Sequence, residues 1–150
     1  MELNQARQAA PLDGNAARAF TVADPQLTAD FGAALAARPK PPRTFLLYFD
    51  LGGTQLTPAS QAQMNDILDE VRNRPAPDLS VVGHTDTAGA AAANETLAQS
   101  RADFVARLLR PAAANGLQIE VTSHGERNLL VPTPDDTPEP RNRRVEVTVR

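Results

Sequence analysis

The sequence predicts an α+β domain whose main elements follow the order β-α-β-α-β-β, preceded by a short helical segment. Two observations carry this prediction: four segments have the apolar runs or alternation of strands, and the two stretches between the first three carry apolar residues at helical spacing. We expect two right-handed crossovers that pair parallel strands, with the last strand returning antiparallel in a small mixed sheet. The pattern leaves open whether the helices cover one face or both.

Residues 1–43 have weaker patterning and form a segment separate from the domain predicted over residues 44–150. Phe20 to Val22 indicate a short strand, and apolar residues at helical spacing predict a helix from Asp24 to Ala37, with Asp24-Pro25 as its cap. The proline-rich stretch from Arg38 to Pro42 is typical of a stiff, extended linker.

The first half of the predicted domain is a strand followed by a helix. Residues 45–49, FLLYF, form a continuous apolar run, as expected of a strand buried on both faces. Thr57 is a good N-cap with Pro58 at the first helical position. Met64, Ile67 and Val71 share one helix face, and this helix should end before Pro75.

The second half continues with a strand over residues 79–83, a helix over about 94–110 and two alternating strands. Asn115-Gly116 should break the chain after the helix. Valines at 145, 147 and 149 alternate with polar residues, as do Ile119 and Val121, which predicts half-exposed strands. Four prolines between residues 130 and 140 exclude a regular element there.

Composition narrows the classes of function. The net charge of -3 and the sequence pI near 5.3 argue against a nucleic-acid groove or an anionic membrane surface as partner. The chain has no cysteine for a thiolate metal site, and it has no tryptophan, which excludes stacking of a sugar on an indole ring. Glu2 and Arg7 interrupt the first ten residues, so we expect no signal peptide and no membrane insertion by this chain.

Arg101 is the most informative single residue, because it falls on the apolar face of a predicted helix with Leu97, Val105 and Leu108. A guanidinium on such a face needs a carboxylate, either from the protein or from a ligand, and Asp86 is the obvious candidate. The alternative is that Arg101 lays its methylene groups over the core edge and keeps its charge in water. Spacing alone does not decide between the two.

The predicted topology brings polar residues from separate segments to one edge of the sheet. Asp50 and Asp86 follow the first two strands, Asn94 lies at the start of the second helix, and Arg143 precedes the last strand. Open sheets tend to bind ligands at such an edge. For Asp86 and Asn94, helix or loop capping is the competing structural role.

A series of motifs occurs in a fixed order from Thr44 to Arg150, and together they resemble the OmpA-like C-terminal domain of the peptidoglycan-associated type. The motifs are FD at 49–50, LTP at 56–58, GHTD at 83–86, Asn94, Leu97, RA at 101–102, Val105, GE at 125–126 and NRRVE at 142–146. The loop LGGT at 51–54 departs from the Asp-Ser pair common in the family, and Ala98 replaces its usual serine.

The resemblance implies a two-layer sandwich that binds peptidoglycan non-covalently through the diaminopimelate of its stem peptide. The family's binding residues fall on Asp86, Asn94, Arg101 and Arg143, with Asp50, Thr85 and Leu97 as possible secondary contacts. A carboxylate and a guanidinium at fixed separation would read both charges of the zwitterion. The resemblance also implies a periplasmic protein without enzymatic activity, cofactor or metal, held at the outer membrane by a segment outside this chain.

Two other classes of function remain open. His84 and His124 both lie at strand ends near carboxylates, so a metal-dependent hydrolase is conceivable, although their spacing matches no known metal signature. A protein-interaction module of an envelope machine is the second alternative, and it is compatible with wall binding.

Overall fold

The computed structural model describes residues 2–11, 19–112 and 118–150. The chain divides into two compact units, Met1–Pro39 and Lys40–Arg150. The predicted break at Asn115-Gly116 lies outside the described residues.

The first unit contains a small hairpin and one helix. Strands β1 (Gln8–Ala9) and β2 (Phe20–Thr21) pair antiparallel, and α1 spans Asp24–Ala36. The short strand and the helix are therefore confirmed. The predicted cap is wrong, because Asp24 is already inside the helix and Ala23 occupies the N-cap position without a side-chain hydrogen bond.

The second unit has the predicted order β-α-β-α-β-β. Its strands are β3 (Arg43–Tyr48), β4 (Asp78–His84), β5 (Gln118–Gly125) and β6 (Arg144–Val149), and its helices are α2 (Pro58–Arg72) and α3 (Ala91–Leu109). The side chain of Thr57 accepts a hydrogen bond from the Ser60 amide, which confirms the predicted N-cap of α2.

The sheet order is β3-β6-β4-β5, which corrects one expectation about pairing. β4 and β5 pair parallel, whereas β6 lies between β3 and β4 and pairs antiparallel with both. The first crossover therefore connects strands that are not neighbours. The burial of β3 alternates because the helices cover only one face of the sheet, so the prediction of burial on both faces is wrong.

A single apolar core lies between the sheet and the two helices. Phe45 and Leu47 of β3 and the odd-numbered valines of β6 contribute from the sheet, while Ile67 and Val105 contribute from α2 and α3. Both helices contact this one cluster, so the architecture is the two-layer α+β sandwich that the resemblance implies. Only one face of each strand supplies the core, consistent with a two-residue period.

The proline-rich stretch is fastened where β3 begins. Arg74, at the end of α2, is buried and donates hydrogen bonds to the carbonyl oxygens of Lys40 (3.1 Å) and Pro41 (2.6 Å). It also pairs with Glu70 at 2.9 Å. The chain thus enters the domain at the end of the sheet opposite to the C-terminal ends of β3 and β4.

Gly83 lets β4 and α3 approach closely. A Cβ at this position would clash with the Ala98 carbonyl oxygen and lie 2.7 Å from the Ala98 carbonyl carbon. Ala98 is itself fully buried, and a small residue there on the helix is needed for the same contact. The pair fixes the height of α3 above the sheet, and so the position of Arg101 one turn later.

Candidate functional site

The ends of three strands meet at one edge of the sheet, as predicted. The amide of Phe49, just after β3, donates to the Arg143 carbonyl oxygen (3.1 Å), and the amide of Thr85 donates to Gly125 (2.9 Å). Asp50, Asp86 and Arg143 are thereby brought to one edge.

Arg101 is fully buried on α3, with 0% of its surface exposed. Its Nε donates to the Gly53 carbonyl oxygen (2.9 Å) and its Nη2 to the Asp50 carbonyl oxygen (3.3 Å). The guanidinium carbon lies 5.1 Å from the centre of the Phe49 ring. Loop 50–53 therefore orients Arg101 through backbone carbonyl groups.

The structure excludes two of the alternatives for Arg101. It does not keep its charge in water, because it is fully buried. Asp86 is not its partner, since Asp86 pairs with Arg143 and no carboxylate of the described residues lies within 4 Å of the Arg101 nitrogens. A carboxylate supplied by a ligand stays a prediction. The buried stripe of α3 is also shifted, because Leu108 is 42% exposed while Ala98, Ala102 and Leu109 are buried. The spacing correctly placed Arg101 on this buried stripe. It could not show that backbone carbonyl oxygens accept the hydrogen bonds of Arg101.

The Arg101 guanidinium retains an unused donor. Its Nη1 is buried and has no hydrogen-bond partner among the residues that the structure describes. Burial lowers the pKa of Arg101 to about 10, the charge of Arg143 acts in the same direction, and Asp86 opposes both. Arg101 therefore stays protonated at neutral pH and presents a desolvated positive charge.

Asp86 pairs with Arg143 rather than with Arg101. The Arg143 Nη1 donates to Asp86 Oδ2 at 3.0 Å, and the Glu139 amide donates to the same oxygen at 3.2 Å. Asp86 is only 5% exposed. The two predicted arginines are thus both close enough to Asp86 to sense its charge, but only Arg143 bonds to it.

Asn94 is one turn inside α3 and is not the N-cap, a position that Ala90 occupies. Its Nδ2 donates to the Ala88 carbonyl oxygen (3.1 Å) and to Glu126 Oε2 (2.6 Å). Asn94 therefore joins the loop after β4 to the loop after β5. Because β4 and β5 are parallel, both loops lie at one edge of the sheet, and Asn94 therefore lies at the same edge as Asp86.

The three secondary candidates lie around this set. Asp50 contributes its backbone oxygen to Arg101, and its side chain is exposed. Thr85 is 1% exposed, and its Oγ1 has no partner within the described part of the chain. Leu97 is half-buried on α3, one turn before Arg101.

The sequence did not predict the residues that hold the proline-rich loop, residues 130–140, over the site. The Thr87 hydroxyl donates to the Pro134 carbonyl oxygen (2.6 Å) and accepts from the Thr137 amide (3.2 Å). Asn142 is fully buried and bonds to both the amide and the carbonyl oxygen of Val131 (2.9 and 2.8 Å). The only signal for these roles was that Asn142 belongs to a motif, which does not reveal its partner.

His84 and His124 do meet, but in surroundings that do not favour a metal. Their rings are edge to face with centres 5.2 Å apart, and His84 Nε2 lies 3.6 Å from Glu146 Oε1. Arg144 already donates to that same oxygen through Nε (2.9 Å) and Nη2 (2.7 Å). Within residues 2–11, 19–112 and 118–150, no group of three or more His, Cys, Asp or Glu side chains could hold a metal ion.

We expect His84 to make the stability of the domain sensitive to acid. Burial lowers the pKa of His84 to about 4, and the charge of Arg144 acts in the same direction. The unfolded chain, with an ordinary histidine pKa near 6.5, binds the proton first, so stability is lost as the pH falls from about 6.5 towards 4. We expect the contribution of His84 to lower the free energy of unfolding by about 2 kcal/mol between pH 7.5 and pH 4.5. Urea unfolding at the two pH values measures this difference.

His84→Met should remove this part of the pH dependence, whereas His124→Gln should keep most of it. An equal pH dependence in wild type and His84→Met would contradict the assignment.

Comparisons with known proteins give the site its context. The model of the OmpA family matches residues 48–143. An outer membrane porin F of Pseudomonas fluorescens is 31% identical over 101 residues, covering 67% of this chain and 31% of that protein. A peptidoglycan-associated lipoprotein of Legionella pneumophila is 30% identical over 105 residues, covering 70% of this chain and 60% of that protein.

Solved structures agree on the fold. The crystal structure of a peptidoglycan-associated lipoprotein from Burkholderia pseudomallei superimposes with a TM-score of 0.61 at 24% identity, covering 82% of this chain and 98% of that one. The C-terminal domain of Helicobacter pylori MotB gives a TM-score of 0.58 at 23% identity, covering 71% of this chain and 84% of that one.

The chain spans between 30% and 60% of the length of the first three curated relatives it matches. None of the helices in the described residues combines the length and the apolar character that a membrane span requires. The match of the family model over residues 48–143, together with the two-layer fold, shows that this chain belongs to the OmpA family.

Proposed function

We propose that this domain binds peptidoglycan non-covalently, and that it does so through the diaminopimelate of the stem peptide. The observation that carries the proposal is the buried Arg101, whose Nη1 donor is unused among the described residues while Asp86 and Arg143 stand at the same edge. The names of the relatives from Legionella and Burkholderia, both peptidoglycan-associated lipoproteins, support the choice of polymer.

The chemistry of the site suits an amino acid end that carries both charges. Arg101 offers a desolvated donor to a carboxylate, and charge-assisted hydrogen bonds of this kind are about twice as strong as neutral ones. Asp86 offers an acceptor to an ammonium group, and its bond to Arg143 would be shared or exchanged when the ligand enters. Asn94 and the Asp50 loop then border the ligand on either side.

The proposal places the domain in the periplasm, as a non-enzymatic tether between the envelope and the wall. A few contacts to a small zwitterion must offset the entropy of binding, so the affinity of one site should be modest. Retention on the wall then comes from many ligand sites in one polymer at high local concentration. The proposal also associates the protein with the outer membrane.

The direct test compares two soluble ligands. We expect meso-diaminopimelate to shift the amide NMR signals of Asp86, Asn94 and Arg101 in a saturable manner. Nα-acetyl-L-lysine amide is the matched control, because it keeps the terminal ammonium on a similar chain but carries no carboxylate. Since Arg101 should bind a carboxylate of the ligand, this lysine derivative is expected to shift these signals at least about tenfold more weakly.

Equal shifts with both ligands would contradict the role of Arg101. Shifts confined to residues far from this sheet edge would contradict the site as a whole.

A further inference from the structure

A second cleft lies next to the Asp86–Arg143 ion pair and shares Arg143 with it. Its volume of about 370 Å³ is within the range of small-ligand sites. Seven residues of the domain line it: Tyr48, Phe49, Asp50, Thr57, Pro140, Arg141 and Arg143. Because Arg143 and Asp50 border both regions, one ligand could occupy the two together.

The walls of the cleft combine apolar faces with polar groups. The half-buried Tyr48 lies at the end of β3, and Pro140 faces into the same space from the start of the turn before β6. Asp50 and Thr57 add a carboxylate and a hydroxyl group at the other side. An aromatic ring beside fixed hydrogen-bonding groups is suited to a ligand with apolar C–H faces and polar edges.

The cations of the cleft are already paired, which argues against an anionic ligand. Arg141 contacts Glu139 through Nε (3.0 Å) and Nη2 (2.8 Å), and Arg143 contacts Asp86 at 3.0 Å. The hydrogen bonds from Arg141 lower the pKa of Glu139 to about 2, so that this carboxylate stays charged at neutral pH. A carboxylate of a peptide would have to compete with these internal partners.

We propose that this cleft binds an uncharged sugar ring of the wall's glycan, next to the site for the peptide. The inference rests on the proposed function, and it adds the sugar as a second recognised part of the same polymer. The ring packs on Tyr48 and Pro140, and its hydroxyl groups bond to Asp50, Thr57 and the fixed guanidinium of Arg141.

Three soluble ligands test this with the full chain: free meso-diaminopimelate, a stem peptide that contains it, and the same peptide joined to its amino sugar. Dissociation constants come from calorimetry or NMR titration. We expect the sugar-bearing peptide to bind roughly fivefold more tightly than the bare peptide, the gain typical of one aromatic contact.

Two variants assign the gain to the cleft. Tyr48→Leu keeps an apolar side chain without the ring, and Arg141→Gln changes an exposed side chain; each should lose the gain while keeping the affinity for the bare peptide. Arg72→Gln, an exposed arginine on α2 away from the cleft, should behave as wild type.

The outcomes separate the two proposals. If the bare peptide binds but the sugar adds nothing, or if the gain survives in both variants, the cleft is not a sugar site. If the bare peptide does not bind at all, the proposed function itself fails.

Discussion

Replacing Arg101 by methionine should abolish sedimentation of the domain with purified peptidoglycan and leave the fold intact. Methionine fills a similar volume on α3 but has no donor for a ligand carboxylate. We expect the fraction that pellets to fall at least about tenfold, because the charged hydrogen bonds to the ligand are lost.

The stability of the same variant distinguishes function from folding. The substitution removes a buried charge whose Nη1 has no partner among the described residues, but it also leaves the carbonyl oxygens of Asp50 and Gly53 without a donor. These effects oppose each other, so the free energy of unfolding should change by less than about 2 kcal/mol. If Arg101 served only stability, its replacement would lower the free energy of unfolding by more than this amount.

Arg107→Met is the matched control. Arg107 is an exposed arginine in the last turn of the same helix, and its loss should not affect pelleting. If Arg101→Met pellets as well as wild type, Arg101 is not part of the ligand site.

Gly83→Ala should be among the most destabilising single substitutions in the domain. The added methyl group would overlap the Ala98 carbonyl group, which is backbone and cannot rotate away. Relief requires α3 to move off the sheet, and we expect a loss of about 3 kcal/mol or more in the free energy of unfolding. Urea unfolding followed by circular dichroism measures the effect.

Gly53→Ala is the matched control for stability, since a Cβ there would lie 3.9 Å from its nearest neighbour, the backbone nitrogen of Gln55, which is ordinary contact. If both variants lost a comparable free energy of unfolding, the stability of the domain would not depend on the close approach of α3 and β4 at Gly83.

Periodicity was sufficient to predict the main elements, because a two-layer fold buries one face of each strand and helix. Thr57 as the cap of α2 was predictable for the same local reason. The position of β6 was not, because periodicity shows which face of a strand is buried but not which strands lie beside it. β3 shows a second limit, since its run of five apolar residues lies in an edge strand that is buried on one face only.

The candidate site shows the same division. The resemblance brought Asp86, Asn94, Arg101 and Arg143 together, and the structure places them around one sheet edge. The bonding pattern could not be predicted, because Arg101 is held by carbonyl oxygens of loop 50–53, and every residue type offers these. In the same way, no side-chain pattern could reveal that Thr87 and Asn142 fasten the proline-rich loop.

The hydrogen bonds from Arg74 to Lys40 and Pro41 have a mechanical consequence for the proposed tether. Force that reaches the domain from its N-terminal side enters at the start of β3, whereas the proposed ligand site lies at the opposite end of the same strand. A pull between the two would act along β3 and load its six residue pairs with β6 in shear. Because hydrogen bonds in that arrangement share the force, the domain would resist extension better than one whose strands were peeled apart one bond at a time.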